Sequence, residues 1–272
     1  MCRLFGSRSL KPGGVAHELL RGSNALRHQS REHPDGWGLA WYVGGEPQVA
    51  RSIEPAHADE DFESVSQFVE AATVIAHIRK ASVGRVALEN THPFRHGPWL
   101  FAHNGTLPYW NGCAGRLERR IDPGLRRAIE GDTDSERCFF LFLTLLSRRS
   151  PLERARFADA AEALRETVAE VMRETAAERL RAKSPEMSPH ASTTFLVTDG
   201  RLMLACRNGR TLQISAPEPD AAGQVHWFAV SSEDPRGDAR AGGERAPWRE
   251  VPEGALVGVD PALRLHRLPL FG

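Results

Sequence analysis

The chain has 272 residues, of which 41% are hydrophobic and 26% are charged, a balance typical of a folded protein. Lysine plus arginine and aspartate plus glutamate both number 35, so the formal net charge is zero. Such a chain has no global field to recruit nucleic acid or an anionic membrane. It also has no apolar run near the roughly 20 residues of a membrane span, and its first residues lack a signal-peptide core.

The spacing of the cysteines indicates the cellular compartment, and the loop composition indicates the number of domains. Four scattered cysteines have no CxxC spacing, so we expect no disulfide framework and a reducing cytoplasm: Cys2, Cys113, Cys138 and Cys206. The stretches Pro217–Gly223 and Asp234–Pro247 are typical of loops, and no shift in composition accompanies them. We therefore predict a single domain over residues 1–272.

The first half of the chain alternates strand-like and helix-like segments. Apolar residues at helical spacing predict helices over His17–Arg27 and Asp59–Ala72. Segments with strand composition, the second and third joined as a hairpin by Gly44, Gly45 and Pro47, are Arg3–Leu10, Gly36–Val43, Gln48–Ile53, Thr73–Ile78 and Trp99–Ala102.

The second half begins with helices and ends with strands. We predict an apolar helix over Ser135–Leu146 and a long amphipathic one over Leu152–Ala182. The remaining predicted strands, the first two joined at Asp199-Gly200, are Thr193–Thr198, Arg201–Cys206, Trp227–Ser231 and Ala255–Val259. Two sets of strands with helices between them favour layered sheets and helices over a parallel βαβ sheet.

Cys2 is the first residue with chemical potential. A single cysteine is most often a small core residue. At position two, however, removal of Met1 would put its thiol and a free α-amine on the same residue. A free α-amine has a pKa of about 7.7–8.0, so part of it is a base near neutral pH. Cys2 is therefore a candidate nucleophile with a built-in general base.

Three further motifs each have a structural and a functional interpretation. Arg79, at the end of a predicted strand, is either a surface charge or a bidentate partner for a substrate carboxylate. Asn104 and Gly105 form either a turn or an oxyanion hole built from the Asn104 amide and the Gly105 N–H. Residues 131–136 form either a helix-capping box or, through Asp134, a carboxylate for a substrate ammonium.

Taken together and in order, these motifs resemble the class II glutamine amidotransferases. The similarity rests on Cys2 and on the runs His-x-Arg-x-Ala-Ser, Thr-His-Pro-Phe, His-Asn-Gly and Thr-Asp-Ser-Glu at residues 77–82, 91–94, 103–105 and 133–136. The resemblance implies an α+β fold, the four-layer αββα sandwich of two antiparallel sheets found in N-terminal-nucleophile (Ntn) hydrolases. It also implies enzymatic cleavage of a glutamine side-chain amide through a thioester intermediate, without a cofactor or a metal.

The family roles transfer to matching positions in this chain. Cys2 resembles the nucleophile, and Asn104 with Gly105 resembles the oxyanion hole. The substrate-binding positions implied by the resemblance are Arg79 for the α-carboxylate, Asp134 for the α-ammonium, and Ser82 and His92 in the glutamine pocket. Arg27 loosely matches an arginine that holds the chain terminus near the nucleophile.

Departures from the family pattern bear on the substrate. The chain starts Cys2-Arg3-Leu4 where biosynthetic members usually have Cys-Gly-Ile, and Val83 replaces a polar residue of some members. The start, the Asp-Gly-Trp-Gly run at residues 35–38 and residues 89–94 look like the stand-alone group. That group includes γ-glutamyl hydrolases of thiol metabolism, such as the ergothioneine-pathway amidohydrolase. We expect no synthase domain, since no chain remains for one, which agrees with the stand-alone group. The resemblance implies a small-molecule substrate that is glutamine or a γ-glutamyl amide.

Two other functions stay open at this stage. A metal hydrolase could use the four histidines His77, His92, His96 and His103, but Pro93 disrupts a helix there and no His-Glu-x-x-His motif is present. Alternatively, the chain is a non-catalytic or ammonia-supplying subunit of a partner synthase. The presence of the whole candidate site argues against a subunit without activity.

Overall fold

The computed structural model describes residues 2–181, 191–237 and 246–271. Within these ranges the strands are β1 (Arg3–Gly14), β2 (Trp37–Val43), β3 (Glu46–Ser52), β4 (Glu70–Ile78), β5 (Phe94–His96), β6 (Trp99–Asn104), β7 (Thr194–Thr198), β8 (Met203–Cys206), β9 (Gln213–Ser215), β10 (Trp227–Ser231), β11 (Arg249–Glu250), β12 (Ala255–Val259) and β13 (Leu265–Pro269). The α-helices are α1 (Leu26–Gln29), α2 (Glu60–Phe68), α3 (Trp110–Arg120), α4 (Pro123–Arg126), α5 (Asp134–Ser147) and α6 (Phe157–Arg181). None of the helices described is long and apolar enough to cross a bilayer.

The strands form two antiparallel sheets. The first has the order β11-β9-β10-β1-β4-β2-β3, and the second has the order β13-β12-β8-β7-β6-β5. Every strand pair in both sheets is antiparallel, as the layered arrangement predicts.

Three apolar cores join four layers. Leu4 and Ile75 from the first sheet pack with Ala102 and Leu196 from the second. The outer face of the second sheet packs on α5 and α6, for example through the stacked rings of Phe101 and Phe139. The outer face of the first sheet packs on α2 through a third cluster that includes Trp37 and Phe62. This αββα order confirms the predicted four-layer α+β sandwich.

The predicted N-terminal strands are all present, with one correction at a turn. β1 continues past Leu10 to Gly14, and β2 and β3 form the predicted hairpin. Gly44 and Gly45, with φ of 60° and 89°, form its turn, but Pro47 lies in β3 opposite Tyr42. Because β3 is an edge strand, the missing proline N–H removes no ladder bond on its open side.

Two predicted helices are shorter than their apolar patterns indicate. In place of His17–Arg27 the chain forms a π-helical turn, His17–Arg21, and then α1. The break at Gly22 lies against the Pro235 carbonyl oxygen, where a Cβ would be only 2.2 Å away. Similarly, the helix predicted over Asp59–Ala72 ends at Phe68, because the residues from Glu70 onward pair with β1.

The later helices and strands largely follow the predictions. α5 confirms the apolar helix, and Thr133 caps it by accepting a hydrogen bond from Glu136 N. The long helix is preceded by a separate 3₁₀ turn, Leu152–Arg154, and residue 182 lies outside the described residues. The strand pairs β7–β8 and the strands β10 and β12 are confirmed, whereas no prediction covered α3, α4, β9, β11 or β13. Residues 238–245 of the predicted loop Asp234–Pro247 are also outside the description.

Strand register brings four chain segments to one edge of the sandwich. Arg3 lies opposite Ile78 in the β1–β4 pair, so Cys2 is beside the residues that follow β4. Phe5 lies opposite Ser231 in the β1–β10 pair, so Ser232 is also at this edge. β6 in the facing sheet ends at Asn104, whose side chain contacts Ser232. The candidate site lies at this edge.

Candidate active site

Cys2 lies directly before β1 with its side chain buried. Its Sγ atom is 3.4 Å from the backbone nitrogen and 3.5 Å from the carbonyl oxygen of Lys80. Burial raises the pKa of the Cys2 thiol, while the Lys80 N–H and the positive charge of Arg79 act in the opposite direction. A thiol with a raised pKa is protonated near neutral pH, so a base must take its proton before it attacks a carbonyl carbon.

The side chain of Asn104 crosses from the second sheet to the start of the first. Its Nδ2 donates to Ser232 Oγ at 3.0 Å, and the same oxygen accepts from Leu4 N at 3.0 Å. Ser232 N in turn donates to Leu4 O at 3.0 Å. The Asn104 side chain is therefore linked through Ser232 to Leu4, which lies two residues after Cys2. One of its two N–H groups takes no part in this link.

Gly105 occupies a position where no larger residue fits. A Cβ there would lie 2.1 Å from Ser192 O and 2.3 Å from His103 Nε2, far inside normal contact distances. This close packing fixes the backbone directly after Asn104, where the oxyanion-hole prediction places the second donor.

Arg79 is buried at the end of β4 and supports the loop that follows it. Its guanidinium donates to the carbonyl oxygens of Arg85, Val83 and Gly84 at 2.9, 3.1 and 3.3 Å. A guanidinium has five N–H groups, so two of them, one on Nε and one on Nη1, take no part in these three bonds. In this structure Arg79 thus orders residues 83–85, a contribution that the sequence did not predict.

Asp134 is the first residue of α5 and is buried. Its Oδ2 accepts from Leu107 N at 2.8 Å, and its Oδ1 accepts from Ser135 N at 2.8 Å. The first bond ties the segment after Gly105 to the helix start. The carboxylate therefore has a fixed orientation and retains lone pairs for a cationic ligand.

Ser82 lies at the rim of the site. Its Oγ is 2.8 Å from Thr106 Oγ1, so it links the segments that follow β4 and β6. From this contact a pocket of about 660 Å³ extends outward. The pocket is lined by residues 82–84, residues 106–112 and Glu178.

His92 is buried deeper than a pocket-lining residue would be. Its ring packs on His77 at a centroid distance of 4.2 Å and on Phe94 at 4.5 Å. Neither ring nitrogen has a partner among the described residues. Burial holds the pKa of His92 well below its usual value, so the ring is a neutral core group between the sheets.

The four histidines do not form a metal site. His77 and His92 stack together, but His103 points to the opposite face of β6 against Phe195, and His96 packs on Phe140. In the described ranges, no group of three or more histidine, cysteine, aspartate or glutamate side chains could hold a metal ion.

Several contacts of the site were not foreseen. Asp35 N donates to Arg79 O at 3.1 Å and Asp35 Oδ2 accepts from Ala81 N at 2.7 Å, which fixes the backbone on both sides of Lys80. Arg27 forms an ion pair with Glu63 at 3.0 Å. Asp35 belongs to the recognisable run at residues 35–38, but Ser232 has no local sequence signal.

Comparison with known proteins supplies the family. Residues 1–226 match the model of the class II glutamine amidotransferases. The chain belongs to this family. As a class II glutamine amidotransferase it is an enzyme, and its N-terminal Cys2 is in keeping with the family. Its fold is also found in a glutamine aminotransferase class-II domain protein from Silicibacter pomeroyi, with a TM-score of 0.67, 20% identity and 99% coverage of both chains.

Curated relatives include both amidotransferases and a hydrolase. A probable glutamine amidotransferase from Saccharomyces cerevisiae is 26% identical over 251 residues, covering 85% of this chain and 69% of that protein. The γ-glutamyl-hercynylcysteine sulfoxide hydrolase of Mycolicibacterium smegmatis is 27% identical over 248 residues, covering 90% and 86%. An Escherichia coli relative is 31% identical over 156 residues, and the chain spans 57% of its length.

Proposed function

We propose that this single domain, residues 1–272, hydrolyses the γ-amide of a γ-glutamyl compound, with Cys2 as the nucleophile after removal of Met1. The observation that carries the proposal is the hydrogen-bonded link from Asn104 through Ser232 to Leu4. It fixes an amide donor beside the start of β1, the strand that directly follows Cys2. A fixed donor next to a nucleophile is what stabilisation of a tetrahedral oxyanion requires.

The reaction is a two-step acyl transfer. The α-amine of Cys2 takes the thiol proton while Sγ bonds to the γ-carbonyl carbon, and the oxyanion accepts hydrogen bonds from Asn104 and Gly105. The carbon–nitrogen bond then breaks as the amine returns the proton to the leaving nitrogen. Water adds to the resulting γ-glutamyl thioester, with the amine again taking a proton, and glutamate and the free thiol are released.

The glutamyl head presents a carboxylate and an ammonium, and the site offers a partner for each. Arg79 keeps two N–H groups for the carboxylate, and Asp134 keeps lone pairs for the ammonium. Ser82, which lies at the rim of the site beside Thr106, would contact the same head. His92, which is buried and neutral beside His77 and Phe94, would act through packing rather than through charge.

The outward pocket supports a proposal about the size of the leaving group. This pocket starts at Ser82 and Thr106, directly after the segments that carry Arg79 and Gly105, and it includes Tyr109 and Trp110. A space of about 660 Å³ exceeds what ammonia requires. Together with the hydrolase among the relatives, it supports a γ-glutamyl amide larger than glutamine.

A second candidate is an ammonia-supplying subunit of a partner synthase, favoured by the amidotransferases among the relatives. The two functions differ in what the isolated chain should prefer. A cytoplasmic location is proposed for either function, and it is supported by the four cysteines, all of which are free thiols.

Asn104→Ala tests the proposed role of the Asn104 amide in the oxyanion hole. We expect kcat to fall by about 10²–10³-fold with a much smaller change in KM, because the amide contacts the oxyanion rather than the ground-state substrate. Steady-state kinetics on a γ-glutamyl amide would measure both. The matched control is Asn208→Ala, which removes a buried amide that donates to Thr193 Oγ1. Equal kcat values for the two variants would contradict a role of Asn104 in the oxyanion hole.

Asp134→Asn tests recognition of the glutamyl head. We expect KM to rise by about tenfold or more, because a hydrogen bond to a charged carboxylate is replaced by one to a neutral amide. The matched control is Asp199→Asn, since Asp199 also accepts two backbone N–H bonds while buried. If Asp134→Asn changed KM no more than Asp199→Asn, the ammonium would have to bind elsewhere.

The substrate preference separates the two candidate functions. We expect the isolated chain to have a higher kcat/KM for γ-glutamyl amides with a bulky leaving amine than for glutamine. All of these substrates share the glutamyl head, so only contacts of the leaving amine in the outward pocket can distinguish them. The measurement is a series of amides of increasing size, with and without candidate partner proteins. Preference for glutamine, raised further by a partner, would instead support the ammonia-supplying subunit.

A further inference from the structure

His103 is a buried titratable group that the proposed reaction does not use. Its ring lies between β6 and α5, packed against Phe195. One ring nitrogen, Nε2, is 2.8 Å from Ser192 O, and the other, Nδ1, is 2.8 Å from Ser135 Oγ. The ring therefore connects the backbone beneath Gly105 with the residue next to Asp134.

The partners of His103 determine where its proton lies. A carbonyl oxygen can only accept, so Nε2 carries the hydrogen that is donated to Ser192 O. Burial lowers the pKa of His103, against the opposing charge of Asp134, so the ring is neutral near neutral pH. Nδ1 is then an acceptor without a hydrogen of its own, and its partner has to donate.

That partner has a single hydrogen and two possible acceptors. Ser135 Oγ lies 2.8 Å from His103 Nδ1 and 3.1 Å from Asp134 Oδ1. With the ring neutral, the hydroxyl donates along the shorter contact to Nδ1. Asp134 Oδ1 then keeps only the bond from Ser135 N.

The number of free lone pairs on Asp134 depends on whether the Ser135 hydroxyl donates to His103 or to Asp134. A carboxylate has about four acceptor sites, and Leu107 N and Ser135 N occupy one on each oxygen. With the hydroxyl turned to His103, one site stays open on each oxygen. With the hydroxyl turned to Asp134, Oδ1 has none.

We propose that His103 is a positioning residue that keeps the Asp134 carboxylate open for a ligand ammonium by accepting the Ser135 hydroxyl. The ligand class is an α-ammonium such as that of a glutamyl head, so the inference rests on the proposed function. It assigns to His103 an effect on ligand affinity, exerted through Ser135 and Asp134, rather than a step in the reaction.

A substitution can keep the hydrogen-bond donor at the Nε2 position of His103 and remove the acceptor at Nδ1. His103→Gln places an amide nitrogen near the Nε2 position, where it can still donate to Ser192 O under Gly105. The same variant has no acceptor at the Nδ1 position. The Ser135 hydroxyl would then turn to Asp134 Oδ1 and compete with the ligand.

The test is calorimetric binding of L-glutamate, which carries the same α-ammonium and α-carboxylate as the substrate. We expect His103→Gln to weaken binding about tenfold. The double variant His103→Gln with Ser135→Ala should recover most of that loss, because the competing donor is gone. A purely structural role predicts the opposite, a double variant weaker than the single one. Unchanged binding in His103→Gln, or no recovery in the double variant, would overturn the inference.

A milder variant keeps the inference testable if His103→Gln does not fold. Ser135→Ala alone should bind L-glutamate at least as tightly as wild type, whereas a hydroxyl that supported Asp134 would cost about tenfold on removal. Ser66→Ala, which deletes a buried hydroxyl on α2, is the matched control. Failure of the wild-type enzyme to bind L-glutamate or any γ-glutamyl amide would overturn the proposed function as well. Binding by wild type with no difference among the variants would overturn the inference alone.

Discussion

Cys2→Ala is expected to lower turnover of any γ-glutamyl amide by about 10⁴-fold or more, because no other group can form the thioester. The substitution removes only a sulfur atom that contacts the Lys80 backbone at the rim of the sandwich. The variant should therefore fold and still bind the glutamyl head, so KM or the affinity for L-glutamate should change little.

The control for this prediction is another buried thiol. Cys206 lies in β8 of the second sheet, where its Sγ contacts Thr193 O, whereas Cys2 precedes β1 of the first sheet. Cys206→Ala should lose some thermal stability through the cavity it leaves but should retain turnover. Similar turnover in the two variants would show that Cys2 is not the nucleophile.

Blocking the α-amine of Cys2 is expected to lower kcat by about 10²–10⁴-fold, the usual contribution of a general base. An amide-bonded nitrogen has no lone pair available for a proton. Because burial raises the pKa of the Cys2 thiol, the thiol depends on that base for its activation. Binding of the glutamyl head should survive, since Asp134 and Arg79 are unaffected.

The cleanest comparison uses one protein in two states. An N-terminal extension with a protease site directly before Cys2 would be assayed uncut and then cut, with intact mass confirming each terminus. Activity should appear only after the cut. Full activity of the uncut protein would rule out the α-amine as the base.

Local sequence pattern predicted the fold where an element is defined by its own residues. β10 and β12 match their predicted bounds because each is a short buried run. α3 was missed because Gly112 and Gly115 weaken its helical pattern, and its first turn follows Tyr109, which has a positive φ of 59°. α2 was predicted too long because pairing of residues 70 and 71 with β1, a contact distant in sequence, ends the helix.

In the candidate site, too, local motifs predicted some residues, whereas contacts distant in sequence were missed. Ordered motifs predicted Cys2, Asn104 and Asp134. In the structure Cys2 contacts Lys80, Asn104 contacts Ser232, and Asp134 contacts Leu107 in the segment that follows β6. No motif indicated Ser232, because its link to Asn104 spans 128 residues of sequence. Arg27, which loosely matches a terminus-holding arginine, forms an ion pair with Glu63, and its role at the terminus stays a prediction.

In the proposed mechanism the γ-glutamyl group is transferred to the Cys2 sulfur of a chain that begins at Cys2. Intact mass spectrometry of enzyme quenched with acid in the first turnover is the most direct test. We expect a species that lacks Met1, carries one added glutamyl residue on the Cys2 thiol, and loses that residue on treatment with hydroxylamine, as a thioester does. An active enzyme that retains Met1, or an adduct that maps to any residue other than Cys2, would contradict it.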